Sequence, residues 1–182
     1  MNLGRNAEPE ANLIYLRPMT EDDTADIVAW RNSPGVRKSF IYQEDFTPEG
    51  HLNWFHEVVQ KGRAVQMMIC EGETNKAIGS VYIRDIDHTH HKGEYGIFLG
   101  TEEVRGRGIG TQAARLMVAY GFEELHLHRI YLRALSENVR AIRSYEKAGF
   151  VKEGCLKDDV CIHGEYKDIV WMAVVREDTH ED

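Results

Sequence analysis

The chain has 182 residues, 42% of them apolar, and a formal charge of −8. That length buries a core without disulfide or metal staples, and the acidic balance argues against a nucleic-acid partner. No apolar run approaches the ~20 residues that span a bilayer, and no basic-then-apolar leader opens the sequence, so the reading is a cytoplasmic protein without a membrane partner.

The first twelve residues are polar and read as a loose terminus, and the acidic stretch 176–182 reads the same way. Between them, 13–175 reads as one domain without repeat or linker. Leu13 to Arg17 is a first strand, ended by Pro18. Thr20 with Glu21, Asp22 and Asp23 predicts a capped helix start with an acidic first turn, and the helix continues through Ile27, Val28 and Trp30. Gly35 to Phe46 reads as a loop or short helix. Thr47-Pro48-Glu49 opens a second helix that carries His51, Leu52, Trp54, Phe55, Val58 and Val59. Strands follow near Ala64–Cys70, Ile78–Asp87 and Gly93–Leu99, with Gly72 to Asn75 as a hairpin turn. A helix begins in the glycine-rich stretch after Val104 and runs to about Leu125. His128 to Ala134 is a strand, and a helix follows from Ser136, read as its N-cap, to Gly149. Val151–Lys157 and Tyr166–Val175 close the chain as strands. Cys70, Cys155 and Cys161 lack metal-ligand spacing and read as free thiols. His88, His90 and His91 lie in a turn without a set of carboxylate partners, so no metal is assigned to them.

The most telling stretch is Val104-Arg105-Gly106-Arg107-Gly108-Ile109-Gly110-Thr111. A glycine-rich strand-to-helix turn exposes backbone N–H groups and the positive end of a helix, and two arginines add charge; this suits a pyrophosphate. The dinucleotide fingerprint needs glycines spaced G-x-G-x-x-G, and the Walker loop needs Gly-Lys before Ser or Thr; neither is met. About thirty residues on, Asn138, Ala141, Ile142, Tyr145, Gly149 and Phe150 form a second pattern, N-x-x-A-I-x-x-Y-x-x-x-G-F.

Arg105-x-x-Gly108-x-Gly110 between strand and helix resembles the acyl-CoA loop of the GNAT acetyltransferase superfamily, and the second pattern resembles that family's next segment, in the same order and separation. The resemblance implies a mixed α/β fold. Its central, mostly antiparallel sheet has about seven strands, about four helices and a splay between strands 4 and 5. It implies acetyl-CoA as cosubstrate, with no metal. It places Phe98, Leu99, Arg105, Gly106, Arg107, Gly108, Ile109, Gly110, Thr111, Asn138 and Tyr145 on the cofactor, and it implies self-association as a homodimer.

Acetyl transfer needs a neutral amine, a base for its proton, an acid for the departing thiolate and a donor for the carbonyl oxygen. By resemblance Tyr145 is the acid and Glu94 the base; the residues alone also allow a core tyrosine and a solvated strand-end charge. Asn138 is either a cofactor ligand or a helix cap.

For the acceptor, Trp30-Arg31-Asn32, Arg37, and His51 with Trp54 resemble family members that acetylate nucleotide-linked amino sugars, where arginines pair with a diphosphate and aromatics stack. The same aromatics also suit core positions. The expected activity is therefore N-acetylation of a small-molecule primary amine, led by a nucleotide-linked amino sugar. A polyamine or a ribosomal-protein N-terminus is the alternative within enzymes, and a non-catalytic CoA-binding module the alternative outside them.

Overall fold

A computed structural model describes residues 13–104 and 106–177. Seven strands form one sheet in the order β1-β2-β3-β4-β5-β7-β6. β1 (Ile14–Pro18), β2 (Val65–Glu71), β3 (Ala77–Asp87) and β4 (Lys92–Leu99) pair antiparallel in sequence. β5 (Arg129–Leu135) lies parallel to β4, then antiparallel to β7 (Glu165–Val175), which carries β6 (Val151–Ile162) on its other edge. The mixed, mostly antiparallel α/β sheet is the expected one.

Alternation along the strands builds two cores, because successive side chains of a strand point to opposite faces. Ile14, Leu16, Met67 and Ile69 face one way and pack with Ala113, Ala114 and Met117 of helix α4 (Ile109–Glu123). Tyr15, Met68 and Cys70 face the other way. They meet Ile27 of α1 (Thr24–Asn32), Val36 of α2 (Pro34–Arg37) and Phe55, which follows α3 (Pro48–Trp54). With α5 (Val139–Lys147), the described residues hold five α-helices. The one beyond expectation is the single turn α2, in a stretch read as loop or short helix. None of these helices is long and apolar enough to cross a membrane.

Small residues let α4 sit close on the sheet. A Cβ on Gly121 would lie 2.5 Å from Ile130 Cδ1 and 2.9 Å from Ile83 Cδ1.

β4 and β5 pair only at Lys92–Arg129, Gly93–Ile130 and Glu94–Tyr131. Beyond Glu94, β4 stays with β3 to Leu99, whereas β5 stays with β7 to Leu135. The strands therefore part, and the expected splay is the wedge that opens there.

Three boundaries differ from expectation. β6 continues to Ile162 through an irregularity between Leu156 and Val160, where Asp158 has φ 54°; the charged Lys157-Asp158-Asp159 run hides the strand's second half. α5 begins at Val139, and Asn138 rather than Ser136 caps it, its Oδ1 accepting from Ala141 N at 3.3 Å. Arg176 is held, not frayed: its N–H donates to His128 O at 2.8 Å and its guanidinium to Phe122 O at 3.0 Å. The rest of the two expected loose termini, residues 1–12 and 178–182, lies outside the described residues. The histidine stretch forms the β3–β4 turn, where His90 Nδ1 lies 2.9 Å from Asp87 Oδ2. Cys70 is buried, Cys155 and Cys161 are exposed, and all are free.

Candidate active site

A cavity of about 920 Å³ fills the wedge. Gly96 to Leu99 of β4 and Leu132 and Arg133 of β5 form its walls. The glycine turn and α5 close one end, and Arg31, Phe40, Tyr42, Phe46 and Trp54 the other.

The glycine end is shaped by backbone. Gly106 and Gly108 have φ +84° and +80°, a region that favours glycine. Gly108 caps α4, and the first intrahelical bond runs from Gln112 N to Gly108 O at 3.0 Å. The N–H groups of Ile109, Gly110 and Thr111 therefore have no partner inside the helix and point outward with its positive end. Side chains would crowd the cradle: a Cβ on Gly106 would lie 3.1 Å from Arg140 Nη2, and one on Gly110 3.2 Å from Ser144 Oγ. Thr111 Oγ1 sits 2.9 Å from Ser144 Oγ and ties α4 to α5. This donor set fits the pyrophosphate of a CoA.

Not every residue of the stretch serves there. The Ile109 side chain is 1% exposed in the core. Arg107 Nη1 donates to Glu71 Oε1 at 3.0 Å and does not line the cavity. Arg105 lies outside the described residues. The cations that do line this end are Arg140, Arg143 and Lys147. Sequence reading missed them, although their spacing along α5 puts them on one helical face. Phe98 and Leu99, expected on the cofactor, line the cavity.

Tyr145, also on α5, lines the cavity. Its ring meets Phe150 at 6.1 Å between centroids, and among the described residues its hydroxyl has no hydrogen-bond partner. Burial pushes its pKa well above the usual tyrosine value. The phenol is therefore protonated at neutral pH. Asn138 lines the same cavity while capping α5.

Glu94 is no solvated strand end. It is 6% exposed, and both its oxygens are engaged. Arg133 Nε donates to Oε1 at 3.0 Å, while Arg84 Nη2 and Arg133 Nη2 donate to Oε2 at 3.1 and 3.2 Å. Arg84 comes from β3 and Arg133 from β5, so the carboxylate clasps both sides of the wedge where strand pairing stops.

Of the six residues expected to bind the acceptor, Arg31 and Trp54 line the cavity. The other four build its frame. Trp30 fills the space above Gly100, where a Cβ would lie 2.4 Å from the indole. Asn32 holds the Phe46 backbone, donating to its O at 2.8 Å and accepting from its N at 2.9 Å. Arg37 donates to Asn32 Oδ1 at 3.0 Å and pairs with Asp45. His51 is 3% exposed, its Nδ1 lies 3.1 Å from Thr24 Oγ1, and burial lowers its pKa. The expectation that Arg37 and His51 reach an acceptor is thus corrected: both are engaged inside the protein. Phe40, Tyr42, Phe46, Tyr82 and Arg84 line the cavity unforeseen. The one local signal was Gly96, where a Cβ would lie 2.2 Å from Tyr82 Cζ, so only glycine leaves room for that ring.

Residues 14–151 match the family model of the acetyltransferase (GNAT) domain. The chain belongs to the GNAT acetyltransferase family. This GNAT protein is accordingly an acyltransferase. It is 30% identical over 166 residues to spermidine N(1)-acetyltransferase of Escherichia coli strain K12, covering 91% of this chain and 88% of the relative. A spermidine N-acetyltransferase from Vibrio cholerae, in a crystal structure with CoA and spermine, shares the fold. Its TM-score is 0.83 at 24% identity, over 90% of this chain and 95% of the other. A dodecameric structure of the same Vibrio cholerae enzyme has a TM-score of 0.76 at 25% identity, over 90% and 94% of the two chains. All three of these relatives are named for spermidine, and none for a nucleotide-linked amino sugar.

Proposed function

We propose that this GNAT enzyme transfers the acetyl group of acetyl-CoA directly to a primary amine of a small molecule. The observation that carries the reading is the convergence of three parts on one cavity: the β4–β5 wedge, the Gly106–Thr111 cradle and the protonated Tyr145 phenol.

Acetyl-CoA supplies the activated acyl group. The residues 106–111 grip its pyrophosphate, with Arg140, Arg143 and Lys147 facing its phosphates. The β4 backbone from Gly96 to Leu99, free of pairing on the wedge side, offers amide groups to the pantetheine arm. Tyr145 gives its proton to the departing sulfur. Burial raises the basicity of a thiolate as it does that of a phenolate, so the transfer is matched.

Glu94 takes a different part from the base expected of it. Two guanidinium groups already occupy both oxygens of this carboxylate, so it acts as a positioning residue that fixes Arg84 and Arg133. The amine then reacts from its neutral fraction, losing its proton to water after attack.

Two acceptor classes have support. With Arg140, Arg143 and Lys147 given to the CoA phosphates, the acceptor end is lined by Arg31, Arg84 and Arg133 against one carboxylate, Glu94. That field favours an amine that also carries negative charge, the class to which a nucleotide-linked amino sugar belongs. The second reading is a polyamine, supported by the spermidine enzymes that resemble this chain. The dodecameric relative supports self-association here as well.

Thiol release from acetyl-CoA, measured with UDP-linked amino sugars, spermidine and basic peptides, tests the proposal. Turnover with an anion-bearing amine supports the first class and turnover with spermidine the second. Acetyl-CoA binding without acetylation of any amine would make the chain a CoA-binding module instead.

A further inference from the structure

Arg31 differs from every other arginine of the acceptor end. Arg84 and Arg133 are paired with Glu94, and Arg37 with Asp45. Among the described residues Arg31 has neither a hydrogen bond nor an ion pair. Its Cζ lies instead 3.4 Å from the Phe40 ring centroid, 4.4 Å from that of Phe46 and 5.7 Å from that of Phe98.

The local sequence builds this cage. Trp30 is wedged over Gly100, and Asn32 holds the Phe46 backbone on both sides, so the residues flanking Arg31 fix its position and bring Phe46 over it. Arg37 braces Asn32 from below. The Trp-Arg-Asn and Val-Arg pair of motifs thus serves one side chain.

Phenylalanine faces attract a guanidinium but satisfy none of its five N–H donors, which lie in its plane. The charged groups around it are Arg84 and Arg37, both of like sign, with Tyr82 the remaining titratable neighbour. Burial lowers the Arg31 pKa to about 10, which leaves it charged at neutral pH. A desolvated cation on the cavity wall, with its donor edge unmatched, is complementary to a planar or tetrahedral anion.

We propose that Arg31 is the acceptor-reading residue, and that it recognises a carboxylate or phosphate group carried by the amine substrate. This rests on the acetyltransferase reading, and it goes further in assigning specificity to one side chain. An amine bearing such an anion is held by that group, with its nitrogen free to reach the wedge. A polyamine has nothing to offer Arg31.

The test uses the full chain saturated with CoA, so that the glycine cradle is filled. Inorganic pyrophosphate and, separately, malonate are titrated by calorimetry into wild type, Arg31→Gln and Arg31→Lys. Wild type is expected to bind at least one, and which one it binds tells phosphate from carboxylate recognition. Arg31→Gln should weaken that binding tenfold or more, with Arg31→Lys intermediate, and CoA affinity should be the same in all three. Equal CoA affinity shows that the variants are folded. Binding of neither anion by wild type, or equal anion affinity in Arg31→Gln, overturns the proposal. Thiol release is read separately: anion binding lost with Arg31, but no acetylation of any amine, sinks the transferase reading and leaves the anion site standing.

Discussion

The rings of Tyr145 and Tyr95 meet edge to face, 6.0 Å between centroids with their planes at 83°. That contact needs the ring of Tyr145 and not its hydroxyl, so packing and chemistry can be separated at this residue. Tyr145→Phe should keep the melting temperature and acetyl-CoA affinity close to wild type, while kcat falls by roughly 10²–10⁴. Single-turnover and steady-state rates with the best acceptor check this; an unchanged kcat removes the hydroxyl from the reaction.

Gly108 has φ +80° and open space around its Cβ position. Gly108→Asp therefore meets no clash, and aspartate tolerates this backbone region better than most residues. Its charge, however, would face the pyrophosphate. Acetyl-CoA binding should weaken by at least about tenfold, or ~1.4 kcal/mol, by calorimetry on the folded variant. Unchanged affinity would move the cofactor away from the turn.

Glu94→Gln leaves Arg84 and Arg133 facing each other without their carboxylate. Removing one partner of a buried ion pair costs ~3–5 kcal/mol, and with arginines partly open to solvent the cost here should be about 2–3 kcal/mol. Chemical denaturation measures it. The pH–rate profile of the variant should run parallel to wild type. Recovery of rate at high pH would instead restore Glu94 as the base.

His51 gives stability a pH dependence. Burial lowers its folded-state pKa below 6.5, with Asp23 pulling the other way by a smaller amount. As pH falls through about 6.5, the unfolded chain takes up the proton first and is favoured. Stability contributed by neutral His51 is thus present above that pH and lost below it. Equilibrium unfolding between pH 7.5 and 5 should show the decline, and His51→Gln should flatten it.

The residues most legible in the sequence were those whose work is local. Gly108 could be placed because a turn conformation fixes where it goes, and Tyr145 was singled out by the resemblance of its helix to the family's second segment. The order of elements could be read from periodicity and turn residues, whereas the sheet and its wedge were implied by the family resemblance that the glycine turn and the second pattern carry. Arg84 and Arg133 escaped because their meeting with Glu94 joins three strands, with Arg133 lying 39 positions beyond Glu94. No local pattern sets the register that brings them together. The Trp30–Arg37 stretch was legible as a set with a purpose, but polar side chains look alike whether they face a cavity or a backbone. Asn32 and Arg37 turned inward, and only Arg31 kept its charge for the cavity.

The sheet is one sheet by virtue of three rungs. Lys92 to Glu94 against Arg129 to Tyr131 is a short seam between two larger leaves, β1–β4 and β5–β7–β6. A split that ends inside a sheet concentrates stress at its tip, and the Arg84–Glu94–Arg133 clasp lies there like a rivet. The leaf from β1 to β4 bears the wall that would hold the cofactor arm, and α5, which follows β5, carries Tyr145. Small rotations about the seam would change the gap between phenol and sulfur without breaking a strand pair in either leaf. The clasp thus ties the two leaves together by side chains at the point where their backbone pairing ends.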